Sequence, residues 1–179
     1  KILMVHNRYQ QRGGEDAVFA AEVQMLRSNG HDVVTLLENN DDITGVFGRV
    51  KTAVGSIYSR YGAQRVSGAV SSFRPDVMHV HNFFPKLSPS IFRSARKLGV
   101  PTVMTLHNYR LICPSASFYI DGEVNELSVT RSAFWTVPKR VYKNSLFGTA
   151  VVAAMVDYHK WRGTWSRDID AFITLTGFA

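Results

Sequence analysis

One cysteine, Cys113, stands in the whole chain, which excludes an internal disulfide and a four-cysteine zinc site. No window holds eighteen consecutive apolar residues, so no segment reads as a membrane-spanning helix. Proline-rich and Ser-Gly linkers, internal repeats and low-complexity tracts are also missing, and the chain reads as a single domain over residues 1–179. No signal-peptide pattern precedes the strand-like run Lys1–His6, so a cytoplasmic location is expected. The dinucleotide fingerprint G-x-G-x-x-G is absent, and the loop from the first strand to Gly13-Gly14 is too long for that turn. A nicotinamide dehydrogenase is therefore set aside. So is a serine hydrolase, since no G-x-S-x-G elbow occurs. The six histidines fall in no spacing typical of metal sites, and neither metal nor cofactor is expected.

What is present is ordinary globular material, 45% hydrophobic and 20% charged. A domain of this size buries about two-thirds of the surface its unfolded chain exposes, enough for a real core. The net charge of +7 is concentrated: between Arg131 and Arg167 seven basic residues face one acid, Asp157. Phe134, Trp135, Trp161 and Trp165 interleave with those charges. The segment reads either as a basic solvated face or as a surface for anionic lipid or a phosphorylated ligand, with peripheral contact at the inner face of the membrane. A nucleic-acid partner is not expected, because no recognition motif accompanies the charge.

The chain alternates strand and helix signals. Apolar runs at residues 2–5, 33–37, 76–80, 102–106 and 169–175 read as strands buried on both faces. Glu15–Asn29 reads as a helix with a broad apolar face, carrying Val18, Ala21 and Met25 as well as Phe19, Val23 and Leu26, and stopped by Gly30. Asn39–Gly48 is turn-like, and Val50–Ser72 reads as two helices broken by Gly55, Gly62 and Gly68, glycines that also permit close helix packing. Ser88 is read as an N-cap with Pro89 at the first helical position. Asp121-Gly122 marks a small hairpin, and Ser145–Lys160 a long helix. This alternation predicts an α/β fold: an open, mostly parallel Rossmann-like sheet with helices on both faces, its crossovers right-handed.

Open parallel sheets bind ligands beyond the carboxyl ends of their strands. Three polar clusters fall at such ends: residues 6–15 after the first strand, His79, His81 and Asn82 around the end of the third, and His107-Asn108-Tyr109-Arg110 after the fourth. Gly13-Gly14 before a helix can bring backbone N–H groups close to an anion or a sugar oxygen, or can serve only as a flexible turn. His107 is either a hydrogen-bond donor to a ligand hydroxyl or a structural tie between loops. His79 and His81 are taken to point to opposite faces of their strand, which makes them poor joint metal ligands. His79 then reads as a packed, hydrogen-bonded residue, with His81 nearer the cleft.

The segments Lys1–Val18 (KILMVHNRYQQRGGEDAV), Asp76–Phe84 (DVMHVHNFF) and Pro101–Pro114 (PTVMTLHNYRLICP) resemble the N-terminal domain of glycosyltransferase family 4, group 1 enzymes of the GT-B fold. They are most similar to members that build bacterial cell-surface polysaccharides. The resemblance implies two Rossmann-like domains facing across a cleft. The N-terminal one holds a saccharide or lipid-linked acceptor, and the C-terminal one holds a nucleotide-diphosphate sugar. It implies transfer with retention and without bound metal. His107 is implied to contact the transferred sugar as the catalytic residue. Gly13 and Gly14 are implied to approach the donor phosphate or sugar, and Glu15, His81, Asn108, Tyr109 and Arg110 join them as substrate-binding candidates. The second domain, with its basic pair and nucleotide-gripping acid, is not in these 179 residues. The chain alone is therefore expected to be inactive, and a non-catalytic sugar-binding or scaffold module with a degenerate cleft is the alternative. Where relatives carry further cysteines, this chain has Asn125 and Ser128, so Cys113 reads as a small buried filler.

Overall fold

The computed structural model describes residues 1–8, 13–39 and 45–175. In chain order the main elements are β1 (Ile2–Arg8), α1 (Gly14–Ser28), β2 (Val33–Asn39), α2 (Gly45–Gly55), α3 (Arg60–Phe73), β3 (Val77–Asn82), α4 (Ser90–Lys97) and β4 (Thr102–Leu106). A two-stranded hairpin follows, β5 (Tyr119–Ile120) with β6 (Glu123–Val124), then the short α5 (Leu127–Thr130) and a 3-10 helix over Ala133–Lys139. The chain continues through α6 (Leu146–Arg162) and the single turn α7 (Thr164–Arg167) to β7 (Ala171–Thr174). The main sheet has the order β2-β1-β3-β4-β7, and every pair in it is parallel. The expected α/β sheet is therefore the observed one, Rossmann-like with helices on both faces.

Strand pleating divides the interior into two layers. Successive side chains point to opposite faces. Leu3 and Val5 of β1, Met78 and Val80 of β3 and Met104 of β4 join Val66 and Val70 of α3, Ile91 and Phe92 of α4, and Val152, Met155 and Val156 of α6 in the larger core. Met4, on the other face of β1, packs with Phe19 and Val23 of α1 and Val33 of β2 in a smaller one. Fully burying a Val, Leu or Phe side chain stabilises by about 1.5–3 kcal/mol, so the first layer supplies most of the hydrophobic stabilisation.

Local chemistry explains most element boundaries. Asp16 reaches back from the first turn of α1 to accept the Gly13 N–H at 3.0 Å, and its charge complements the positive helix end. Gly30 follows the helix at φ 83, a left-handed conformation that a side chain would oppose. The apolar face of α1 is narrower than the sequence suggests, for Val18, Ala21 and Met25 are exposed while Phe19 and Val23 are buried. Of the three glycines between Val50 and Ser72, only Gly55 lies at a break, closing α2, while Gly62 and Gly68 sit inside α3. Gly62 is there for close approach: an added methyl group would run into the Leu87 carbonyl. Helix α4 begins one residue later than predicted, with Pro89 at the cap position. Ser88 still caps it, its Oγ accepting from Ser90 N–H at 3.3 Å and from Ser59 N–H at 2.8 Å. Of the predicted turn at Asn39–Gly48, residues 40–44 lie outside the described residues, while Asn39 ends β2 and residues 45–48 already belong to α2.

Candidate functional site

The parallel sheet brings the carboxyl ends of β1, β3 and β4 side by side, and the polar residues that follow these strands meet there. A small cleft is lined by Glu15, His81, Asn82, Phe84, His107, Asn108 and Arg110, with Phe83, Met104 and Leu111 as its apolar wall. Two asparagines weld its loops. Asn82 donates to Asn7 O at 2.8 Å and accepts from Phe84 N–H at 2.9 Å, while Asn7 Oδ1 accepts from Lys86 N–H at 3.2 Å. The register of β1 on β3 slips between Val5 and His6, so that His6 pairs with Asn82. Such irregularities re-aim side chains at the rims of sheets.

After β4 the chain turns sharply, Asn108 Oδ1 accepting from Arg110 N–H at 3.0 Å. The amide of Asn108 then donates to Glu15 Oε1 at 3.0 Å, tying this turn to the first turn of α1. Burial pushes the Glu15 carboxyl above its ordinary range, against the opposing pull of Asn108 and the nearby Arg110 charge. The Arg110 guanidinium packs against the rings of Phe84 and Tyr142, 5.3 and 5.2 Å from their centroids, and donates to Pro114 O at 3.2 Å. A guanidinium held against two aromatic rings and one carbonyl is positioned before any ligand arrives. Its Nε is buried without a hydrogen-bond partner among the described residues.

His107 stands at the cleft with its Nε2 3.1 Å from His81 Nδ1. One of the two must donate and the other accept. His81 is 2% exposed and lies behind His107, away from solvent. Burial holds the pKa of His107 below 6.5, with the neighbouring His6 adding to the effect, and pushes His81 down to about 3. Both rings are neutral near pH 7. A neutral His107 can donate a hydrogen bond to a hydroxyl without carrying a charge of its own.

Gly13 and Gly14 are exposed at the N-terminus of α1, next to Glu15. The structure thus gathers Glu15, His81, His107, Asn108 and Arg110 around one cleft with the Gly-Gly helix start at its border. Tyr109 turns the other way, its ring 4.9 Å from Phe118 in a separate cluster with Cys113 and Ile120. Residues 9–12 of the first polar cluster lie outside the described residues. Cys113 is buried, as a filler would be.

One expectation is overturned. His79 and His81 do not point to opposite faces; residues two apart in a strand share a face, and their ring centroids lie 4.7 Å apart. Both face Glu22 of α1, His79 Nδ1 at 3.1 Å and His81 Nε2 at 3.2 Å from its two carboxylate oxygens. Glu22 was missed in the sequence, although Glu15, Phe19, Glu22 and Leu26 recur at the three- and four-residue spacing of one helical stripe. Asp16 was missed as well: its Oδ1 lies 2.9 Å from His6 Nε2, and His6 in turn stacks on Phe19 at 4.8 Å.

The basic segment is partly consumed by the fold. Lys139 pairs with Asp121 at 2.6 Å, and Lys160 donates to the carbonyls of Ser128, Val129 and Arg131. Trp135 donates to Ser128 Oγ, Trp165 packs on the main core and His159 is buried. Phe134 and Trp161 are exposed, the latter at 81%. Among the described residues no helix is long and apolar enough to cross a bilayer.

Residues 13–172 match the family model of the glycosyl transferase 4-like domain. The chain belongs to that family. It is also similar to a glycogen synthase of Mesorhizobium japonicum, 32% identical over 50 residues, which is 28% of this chain and 10% of that protein. The chain thus aligns with only a small part of that relative's length.

Proposed function

We propose that the chain is the N-terminal, acceptor-side domain of a retaining glycosyltransferase. The complete enzyme transfers a sugar from a nucleotide-diphosphate sugar to a saccharide or lipid-linked acceptor in cell-surface polysaccharide synthesis. The convergence of Glu15, His107, Asn108 and Arg110 in one cleft at the carboxyl edge of the sheet carries this reading, supported by the family membership. Neutral His107 donates to a hydroxyl of the transferred sugar. The Asn108–Glu15 tie fixes the turn from which His107 projects. The exposed backbone at Gly13-Gly14, at the positive end of α1, approaches the donor phosphate, with the Gly13 N–H itself held by Asp16. A second domain supplies the cationic groups that stabilise the leaving diphosphate, because a phosphate leaving group needs oriented positive charge in its transition state. The isolated chain is accordingly inactive.

The test is His107→Ala in the complete enzyme, following nucleoside diphosphate release from a panel of uridine and guanosine diphosphate sugars. Loss of a hydrogen bond made in the transition state lowers kcat by about ten- to a thousand-fold with little change in donor KM. An unchanged kcat would mean that His107 only ties the loops together. A sugar-binding module without catalysis would show no turnover in either form.

A further inference from the structure

Beneath α1, on the side of His81 away from His107 and the cleft, three side chains meet. We propose that Glu22, His79 and His81 bind one divalent transition-metal ion of the zinc class, at a site separate from the transfer step.

The donor geometry comes first. One ligand atom from each residue lies within 4.8 Å of the others. The two closest approaches are 3.1 Å from His79 Nδ1 to Glu22 Oε1 and 3.2 Å from His81 Nε2 to Glu22 Oε2. Zinc bonds of about 2.0–2.1 Å set at tetrahedral angles place neighbouring donors roughly 3.3 Å apart, close to these two nitrogen–carboxylate separations.

His81 Nε2 is fully buried, faces the Glu22 carboxylate, and makes no hydrogen bond among the described residues. A ring nitrogen aimed at a carboxylate without bonding to it has the open lone-pair position that a metal fills.

The outer nitrogens of both rings are already held. His79 Nε2 lies 2.8 Å from Thr105 Oγ1, and His81 Nδ1 lies 3.1 Å from His107 Nε2. Metal-bound histidines commonly have their second nitrogen fixed in this way, which sets tautomer and ring orientation. Two imidazoles and one carboxylate suit zinc and its neighbours, whereas magnesium and calcium prefer all-oxygen sites. The Glu22 side chain is 22% exposed and gives the ion its route in.

The ion has a consequence in the cleft. With metal on His81 Nε2, the His81 proton resides on Nδ1 and is donated to His107 Nε2. His107 then carries its own proton on Nδ1. The metal site thus selects the tautomer of the cleft histidine without touching substrate.

The test reads binding alone, so its outcome is independent of the transfer reading. The purified chain is dialysed against chelator, then titrated with zinc chloride by calorimetry and with cobalt chloride by visible absorption. One equivalent binds, with a cobalt ligand-field band characteristic of nitrogen and oxygen donors. Glu22→Gln weakens zinc binding by more than about 100-fold, beyond the roughly 10–100-fold cost of losing an outer partner, as in Thr105→Val. His31→Ala, at an exposed histidine, changes nothing. Absence of binding at tens of micromolar zinc, or equal binding by wild type and folded Glu22→Gln, overturns the site. Should Glu22→Gln fail to fold, X-ray absorption of the zinc-loaded wild type decides. Two imidazoles in the metal shell support the proposal, and a shell with fewer overturns it.

Discussion

The two faces of the sheet are built from alternate residues of the same strands and have opposite characters. Toward α3, α4 and α6 the strands present Leu3, Val5, Met78, Val80 and Met104, all buried and apolar. Toward α1 the same strands present Met4, then His6, His79, His81 and Thr105, also buried but mostly polar. A parallel sheet covered on both faces ordinarily carries apolar residues throughout. Each buried histidine in place of a valine forgoes about 1.5–3 kcal/mol of apolar burial, and an unpartnered ring nitrogen costs about 1–3 kcal/mol more. The α1 face therefore trades stability for a polar network that reaches the cleft, while the opposite face holds the domain together.

The largest expected effect tests that division. Phe92 is fully buried and packs edge-on against Phe83 at 5.6 Å. Phe92→Ala should destabilise by about 3–5 kcal/mol, as large aromatic deletions in closed cores do. Phe19 lies on the α1 face beside a surface groove, against His6 and His81. Its replacement by alanine should cost less, because the groove lets neighbours relax and water enter. Urea unfolding of both variants measures the difference. Equal losses would show that the α1 face carries as much of the stability as the other.

A smaller effect comes from the one buried histidine that belongs to the apolar side. His159 Nε2 lies 2.7 Å from the Ile57 carbonyl, an acceptor only, so that nitrogen carries the proton. Nδ1, 2.8 Å from Thr164 Oγ1, therefore accepts. Protonation would turn this acceptor into a second donor. Burial lowers the His159 pKa, with Arg162 adding to it, against the opposing pulls of Ile57 O and Asp168. Below about pH 6.5 the unfolded chain takes up this proton before the folded one does. The contribution is complete above that pH and is lost as pH falls toward the lowered folded value, at up to about 1.4 kcal/mol per pH unit. Urea midpoints of wild type and His159→Gln between pH 7 and pH 5 should converge as pH falls. Parallel curves would show that His159 titrates normally.

The apolar face was legible in the sequence, and the polar face was legible only at its rim. Apolar runs located every strand of the main sheet, and Gly30 marked a helix end where φ is positive. The 3-10 helix over Ala133–Lys139, with Pro138 inside it, shows neither helical nor strand periodicity and was not foreseen. The cluster at His107-Asn108-Arg110 was visible because it follows a strand. Glu22 was hidden because a charged residue on a helix reads as solvent-facing unless a buried partner is known. Its partners His79 and His81 come from a strand more than fifty residues away. Pairing of that range is set by topology, which periodicity within one segment does not carry.

Two glycines of one helix on the apolar side should respond to the same substitution with opposite signs. Gly62 is buried, and a methyl group there would lie 2.7 Å from Leu87 C and 2.8 Å from Leu87 Cα, both backbone atoms that cannot swing aside. Gly62→Ala must therefore push α3 away from the Leu87 segment, at a cost of about 1–3 kcal/mol or more. Gly68 is exposed, and a methyl group added to it meets nothing within 4 Å. There the only change is in the chain itself: alanine loses less backbone freedom on folding than glycine and favours the helix. Gly68→Ala should accordingly stabilise by about 0.5–1 kcal/mol. Thermal melts of the two single variants should move in opposite directions from wild type. A stabilising Gly62→Ala would mean that α3 does not sit against Leu87 as described. A destabilising Gly68→Ala would mean that this face of α3 is covered by something the fold of residues 1–175 does not show.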